Sequence, residues 1–359
     1  MLIDSPKKNK ILVFHIGHLG DSLMILPAVL AIRRFFPDAE FSLYSGKELR
    51  ARRVTARQVF ENSGYFDRFV FFPKSKKISA FFQALALFMS IPRLKLMKFD
   101  TLVYLVPSNR SVQQIERDRK IFKLAGIHHF IGMDGFYQQA DAPRHEADRL
   151  LARLAHDGVE IPAVGKAKFQ LNLSEQEKRA ADDWLVSQLQ NEKNRLFVAF
   201  APGSNMQSKR WGIANFSAIG KKLIEKYDII PVIFGATEDA DIGRLLIKSW
   251  KRGINAAGSL SVRQAAVALS RCSFFIGNDT GTMHLAAAMH VRCVAIFSAR
   301  DEEEKWYPYG TGHIVFREHI ACQGCMRDSC DHKTCLTRIS PLRVFRRVEK
   351  EFQDILQSR

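Results

Sequence analysis

Twice along this 359-residue chain a short run of branched and aromatic residues stops at a glycine-bearing polar turn, and helical spacing takes over at once. The first instance is KILVFHIGHLGDSLMILPAVLAIRRFF from Lys10, and the second is FFIGNDTGTMHLAAAM from Phe274. Strands that are apolar at every position are buried on both faces, as in parallel sheets sandwiched between helices. The repeat predicts an α/β fold built from two Rossmann-like halves, and the length allows two domains at about 150 residues each.

The rest of the chain follows the same alternation. Strands are expected at 10–16, 39–44, 69–72 and 101–106, with helices at 23–36 and 112–125. Pro143, Pro162 and weak periodicity over 132–172 read as a linker with one helix near 144–156. Ser174-Glu175-Gln176-Glu177 is a capping box that opens a helix to about residue 189. Strands then recur at 196–200, 229–234, 274–276 and 293–297, and helices at 214–226, 239–250 and 282–289, with an apolar stretch at 262–270. Pro341 suits the first turn of a terminal helix to about residue 356. The expected division is an N-terminal Rossmann-like domain 1–165, a C-terminal Rossmann-like domain 166–340 and a C-terminal helix 341–359. Ligands of such folds bind at the carboxyl ends of the strands, so a central cleft is expected there.

Composition excludes several classes. Hydrophobic residues at 47% and charged residues at 25% are ordinary for a globular chain, and six Cys are too few for a disulfide scaffold. The longest apolar stretch, 78–91, is interrupted by Gln83 and is too short to span a bilayer. The N-terminus lacks a signal-peptide pattern, so a cytoplasmic location is expected. The net charge of +17 is concentrated in residues 47–124, which hold 17 basic and 6 acidic side chains. Such a block is either a solvated surface or a face for an anionic partner. A non-catalytic binder of nucleic acid or a lipid surface is therefore an alternative of another class. No RNP-like, zinc-finger or helix-turn-helix pattern accompanies the charge, and no nucleic-acid partner is expected.

Four turns carry candidate chemistry. Asp21, in HIGHLGD, is placed either to cap a helix or to accept a proton from an attacking hydroxyl. APGSNMQSKRW is a long turn in which Ser204, backbone amides and Lys209 suit a diphosphate. GNDTGTMH starts a helix, where unpaired N–H groups attract an anion. There Thr280, Gly281, Thr282 and His284 are candidates, while Asp279 suits sugar hydroxyls better than phosphate. Glu238, in FGATEDA, is placed after a strand to hold ribose hydroxyls. No GxGxxG and no Walker lysine motif is present.

LGDSLMILPAVLAIRRFFPDA, APGSNMQSKRW, FGATEDA and GNDTGTMHLAAAM together, in this order, resemble glycosyltransferase family 9, the heptosyltransferases. The resemblance runs from about residue 10 to 340. It implies the GT-B fold and a metal-independent, inverting transfer of heptose from ADP-heptose to a lipopolysaccharide core acceptor. It further implies Asp21 as catalytic base, Lys209 at the phosphate, Glu238 at the ribose, Asp279 near the donor sugar, and Thr280 and Gly281 at the diphosphate. The sequence departs from the family pattern at Met24-Ile25, where many members have His, and at Arg210. A relative that uses another nucleotide-sugar for capsule or O-chain stays open. So does a nucleotide-sugar epimerase of similar shape, although no second acid/base pair stands out.

Two features lie outside those motifs. Cys322, Cys325, Cys330 and Cys335 fall within 14 residues, and in a reducing compartment the spacing suggests a structural zinc or a loop of free thiols. Cys272 and Cys293 sit in apolar strand contexts and read as core. Segment 78–91, flanked by Lys74, Lys76, Lys77, Arg93, Lys95 and Lys98, reads either as a core helix or as a helix lying on the cytoplasmic surface of the inner membrane, as a glycolipid acceptor would require.

Overall fold

The computed structural model describes residues 9–46, 54–72, 80–137, 142–189 and 195–357. The chain forms two compact units, Met1–Asn172 and Leu173–Arg359. The first holds strands β1 (Lys10–Phe14), β2 (Glu40–Gly46), β3 (Arg68–Phe72), β4 (Thr101–Tyr104) and β5 (His129–Ile131) in the order β3-β2-β1-β4-β5. Its helices are α1 (Leu19–Met24), α2 (Leu26–Phe35), α3 (Ala56–Phe60), α4 (Ala80–Met89), α5 (Ile91–Met97), α6 (Val112–Leu124) and α7 (Glu146–His156). The second unit orders β11-β10-β9-β6-β7-β8, from β6 (Phe197–Ala201), β7 (Ile230–Ile233), β8 (Ile254–Asn255), β9 (Phe274–Asn278), β10 (Cys293–Phe297) and β11 (Ile314–Arg317). Its helices are α8 (Glu175–Gln188), α9 (Ile213–Tyr227), α10 (Ala240–Trp250), α11 (Val262–Ser270), α12 (Gly281–Ala288), α13 (Thr334–Thr337), α14 (Pro341–Glu351) and α15 (Gln353–Gln357). Every pairing between neighbouring strands is parallel.

The central strands explain the sequence pattern. Ile11 to Phe14 and Cys293 to Ile296 are fully buried. At the end of β1 the Phe14 ring meets those of Tyr44, Phe72, Tyr104 and Phe122, the last edge-on at 5.1 Å. Such pairs add about 0.5–1.5 kcal/mol each beyond simple burial. The capping box at Ser174 forms as expected. Its Glu177 also accepts both arms of Arg263 from α11, at 2.6 and 3.0 Å, which fastens two helices to one turn.

Three expectations change. The helix expected at 23–36 starts earlier, at Leu19, and is broken at Ile25, because Pro27 has no N–H and opens a new helix instead. The first unit ends at Asn172 rather than 165. Tyr65 Oη donates to the Gln170 carbonyl at 2.9 Å, Asn172 Nδ2 donates to the Ser63 carbonyl at 3.0 Å, and Phe169 and Leu171 are buried. The terminal helix is not a separate segment. Val344, Phe345 and Val348 of α14 share a core with Phe216, Ile219 and Leu223 of α9.

His15 follows β1 and has no exposed surface. Its Nδ1 lies 2.8 Å from the Leu105 carbonyl, so Nδ1 carries the proton, and its Nε2 accepts from Ser22 Oγ at 3.2 Å. The ring therefore joins the ends of β1 and β4 to α1. Burial lowers its pKa to about 4, against the partial opposition of the Leu105 contact. An unfolded His15 takes up a proton below about 6.5 and the folded one does not until about 4, so folding loses stability as pH falls through that window. The expected loss is about 3 kcal/mol at pH 4. Denaturant unfolding at stepped pH should show it, and His15→Asn should flatten the slope between those values. An unchanged slope in the variant would place the titration elsewhere.

Candidate functional site

In the first unit the turn after β1 carries Asp21 at half-buried depth. Its Oδ2 accepts the His18 N–H at 2.8 Å, so it does cap α1. A Cβ at residue 17 would overlap the Asp21 side chain and stand 2.8 Å from Oδ2, so glycine is what lets the turn pass this carboxylate. The loop after β4 is held from beneath by charges. Asp118, fully buried on α6, accepts from Tyr104 Oη at 2.7 Å, from Arg110 at 2.5 Å and from Arg117 at 2.6 Å. Glu146, at the start of α7, accepts the Ser108 N–H at 2.7 Å and its hydroxyl at 2.5 Å. A buried carboxylate without partners is costly, and these are well supplied. Sequence reasoning missed them, because one acid in a charged helix looks solvated.

In the second unit three strand ends supply one charged cluster. Asn278, the last residue of β9, has no exposed surface. Its Nδ2 donates to the Pro202 carbonyl at 2.8 Å, and its Oδ1 accepts the Trp211 N–H at 3.1 Å. It thereby fastens both ends of the turn after β6. That turn presents Lys209, whose Nζ lies 2.6 Å from Asp279 Oδ2 and 2.9 Å from Asp301 Oδ2. Arg300 binds Asp301 at 2.8 Å through Nη1.

The cysteine-bearing segment closes the arrangement. The Arg327 carbonyl accepts Arg300 Nε at 2.8 Å and Ser208 Oγ at 2.7 Å, and the Asp328 carbonyl accepts the Ser208 N–H at 3.0 Å. Gln207 Oε1 accepts the Cys330 N–H at 2.8 Å.

Burial alone would depress Lys209, but the two aspartates overcome it and hold the amine above the ordinary lysine value. Burial likewise acts to raise both carboxyls. For Asp301, Lys209 and Arg300 prevail and keep it below the usual carboxylate range. For Asp279, burial and the neighbouring Asp301 prevail over Lys209 and raise it. Asp301 is therefore the firmly ionised partner, because it alone of the two is bonded to both cations.

The helix after β9 completes the site. Thr280 is the N-cap of α12, and its Oγ1 is buried with no hydrogen-bond partner. An orphaned hydroxyl at the positive end of a helix suits an anionic oxygen. Gly281 and Thr282 form the first turn. His284, further in, is buried and meets the Trp306 ring edge-on. Ser204 closes its own turn: its Oγ accepts the Met206 N–H at 3.2 Å and its carbonyl accepts Arg210 Nε at 2.8 Å. Glu238 is exposed after β7. Its neighbour Asp239 accepts the Ala236 N–H at 2.9 Å, and a Cβ on Gly203 or Gly235 would stand 2.6 Å from Asp239 Oδ2. The turns after β6 and β7 are thus packed on one carboxylate.

The structure brings Lys209 and Asp279 together as an ion pair and adds Asp301, Arg300 and Asn278, none of which the sequence reading assigned a role. Asp279 is committed to Lys209, which departs from the expectation that it mainly faces sugar hydroxyls. Cys272 and Cys293 are core residues, as expected. The four clustered cysteines are free thiols. Burial pushes Cys335 up, and nearby Cys322 and Cys330 push the same way. Among the described residues no three His, Cys, Asp or Glu side chains are grouped to hold a metal ion, so the zinc expectation rests on spacing alone.

Two parallel-sheet α/β units with polar turns at the carboxyl ends of their strands are the architecture of GT-B glycosyltransferases. Residues 136–336 match Glycosyltransferase family 9 (heptosyltransferase), and the chain belongs to that family. The lipooligosaccharide heptosyltransferase 2 of Campylobacter jejuni subsp. jejuni serotype O:2 is 26% identical over 339 residues, 91% of this chain and 93% of that protein. The lipopolysaccharide heptosyltransferase 2 of Escherichia coli (strain K12) is 30% identical over 137 residues, and the match spans only 37% of that protein. The solved Escherichia coli ADP-heptose lps heptosyltransferase II shares the fold at a TM-score of 0.69 and 20% identity, over 97% of this chain and 98% of that one.

The charge assignment has a consequence for stability. Asp301→Asn leaves Arg300 and Lys209 short of their ionised partner and should cost about 3 kcal/mol in denaturant unfolding. Asp279→Asn, which removes a carboxyl bonded to Lys209 but not to Arg300, should cost clearly less. Equal losses would contradict the assignment.

Proposed function

We propose that this chain transfers a heptose from ADP-heptose to an inner-core acceptor of lipopolysaccharide or lipooligosaccharide, with inversion at the anomeric carbon. The observation that carries the reading is the meeting of Lys209 with the Thr280 end of α12: the largely buried amine lies 2.6 Å from Asp279, and the next residue in the chain, Thr280, holds an unpartnered hydroxyl. The relatives that match the chain are heptosyltransferases by name, and the Escherichia coli structure is described as an ADP-heptose enzyme.

In this mechanism the acceptor hydroxyl attacks the anomeric carbon and gives its proton to Asp21. The bond from that carbon to the diphosphate breaks, and its electron pair leaves with ADP. The charge that accumulates on the leaving group is met by Lys209 and the α12 terminus. Lys209 reaches the diphosphate by loosening its hold on Asp279 while keeping its contact with Asp301. Glu238 and the turn after β7 take the ribose, Ser204 the phosphate loop, and Gly281, Thr282 and His284 shape the helix end. The reaction takes place at the cytoplasmic face of the inner membrane, where a lipid-linked acceptor is presented.

Incubation with ADP-heptose and a panel of truncated core acceptors, followed by product mass, tests the donor and the acceptor together. Asp21→Asn should lower kcat about 10²- to 10⁴-fold while ADP binding, measured by calorimetry, is retained. A loss below about tenfold would leave Asp21 as the cap of α1 and nothing more. Turnover with another nucleotide-sugar and none with ADP-heptose would favour the capsule or O-chain reading.

A further inference from the structure

Segment 78–91 splits between the two roles the sequence allowed. Lys74, Lys76 and Lys77 lie outside the described residues, as do the side chains of Phe81 and Phe82. From residue 85 onward, α4 and α5 turn one face inward. Ala86 and Leu87 of α4, Leu94 of α5 and the following Phe99 are buried in the core that holds Phe14, Tyr44 and Tyr104. The joint between the helices is fixed by Ser90, whose hydroxyl bonds Tyr44 Oη and also donates to the Leu87 carbonyl at 2.6 Å. The two helices are thus firmly seated.

Their other face is unusual for a surface in water. Phe88 is 56% exposed, Met89 66% and Leu96 83%, with Leu85 at 44%. Leu85, Phe88 and Met89 fall at i, i+3 and i+4, so they share one side of α4. On α5, which follows directly, Arg93 and Lys95 are exposed on either side of Leu94 and next to exposed Leu96, and exposed Lys98 follows the helix. Residues 73–98 contain six cations and no acid. Large apolar side chains beside unopposed cations suit a surface with an anionic plane above hydrocarbon. By contrast, α14 turns out Arg343, Arg346, Arg347 and Lys350 with Leu342 as its one large exposed apolar residue. That face offers charge without an apolar anchor.

We infer that the outer face of α4 and α5 docks this chain onto an anionic lipid bilayer, with Phe88, Met89 and Leu96 entering the headgroup–acyl boundary and Arg93, Lys95 and Lys98 meeting lipid phosphates. The inference builds on the reading of a lipid-linked acceptor, but its test needs neither donor nor acceptor, so either can fail while the other stands. No helix of the described residues is long and apolar enough to cross a membrane, and the attachment is peripheral.

Co-sedimentation of the full chain is measured with vesicles of phosphatidylcholine alone and of phosphatidylcholine mixed with phosphatidylglycerol. Binding should require phosphatidylglycerol and weaken with salt. Replacing Arg93, Lys95 and Lys98 together by Gln should weaken it about a hundredfold. The combination Phe88→Ser, Met89→Ser and Leu96→Ser should abolish it at unchanged charge, while Arg346→Gln with Lys350→Gln should leave most of it. Thermal unfolding checks each variant. Should the serine variant fail to fold, Leu96→Trp replaces it, and its added fluorescence should shift to the blue with the anionic vesicles only. Equal binding to neutral vesicles, full binding by the serine variant, or an unshifted Leu96→Trp would overturn the inference. So would light scattering that shows self-association through this face and no vesicle binding, because the occupant would then be a second copy of the chain.

Discussion

A lysine amine, largely buried between two aspartates, organises the rim at the strand ends of the second unit. Such a cluster is stable only if its charges nearly cancel and every group is fixed. That requirement explains the surroundings. Asn278 holds the turn that delivers Lys209, Arg300 holds Asp301, and the carbonyls of Met326 and Arg327 with the Asp328 carboxylate hold Arg300. Remove any of these and a charge is left in a poorly solvated place. The order that folding imposes here is the same order that a diphosphate would need before it arrives.

The parallel sheets make this possible. In both units the central strands end where helices begin, so polar side chains just past a strand are delivered to one rim while their neighbours stay in the core. The first unit uses the rim for His15, Asp21 and the charged supports of the loop after β4. The second uses it for Lys209, Asp279 and Asp301. Glycines occur where turns close on carboxylates, at Gly17 beside Asp21 and at Gly203 and Gly235 beside Asp239, because a Cβ would meet an oxygen.

Much of this was legible in the sequence. Central strands announce themselves because both of their faces are apolar, and the turns at Asp21 and Asp279 stand out because polar residues interrupt such runs abruptly. The edge strands β5, β8 and β11 did not, since two to four residues with one covered face carry no period of their own. Pro27 splits a helix whose apolar spacing runs on through the break. Asp301 and Asn278 gained their roles only in three dimensions. Each meets a partner 67 to 92 positions away, and no local pattern marks a residue whose purpose is to face something so distant. The mixed burial of α4 was equally hidden, because a helix apolar at all but one position reads alike whether one face or two are covered.

The cysteine-bearing segment clasps both the turn that carries Lys209 and the loop at Arg300, and on its own side it does so mostly through main-chain atoms. The carbonyls of Met326, Arg327 and Asp328 accept from Arg300 and Ser208, and the amides of Gly324 and Met326 donate to Ala299 and Arg300. Such a clasp is indifferent to most side chains and strict about spacing. Mutation could drift freely through the exposed thiols and their neighbours, yet a single inserted or deleted residue between 324 and 330 would put the carbonyls out of step with Arg300. In related chains this stretch should therefore vary in letters far more than in length.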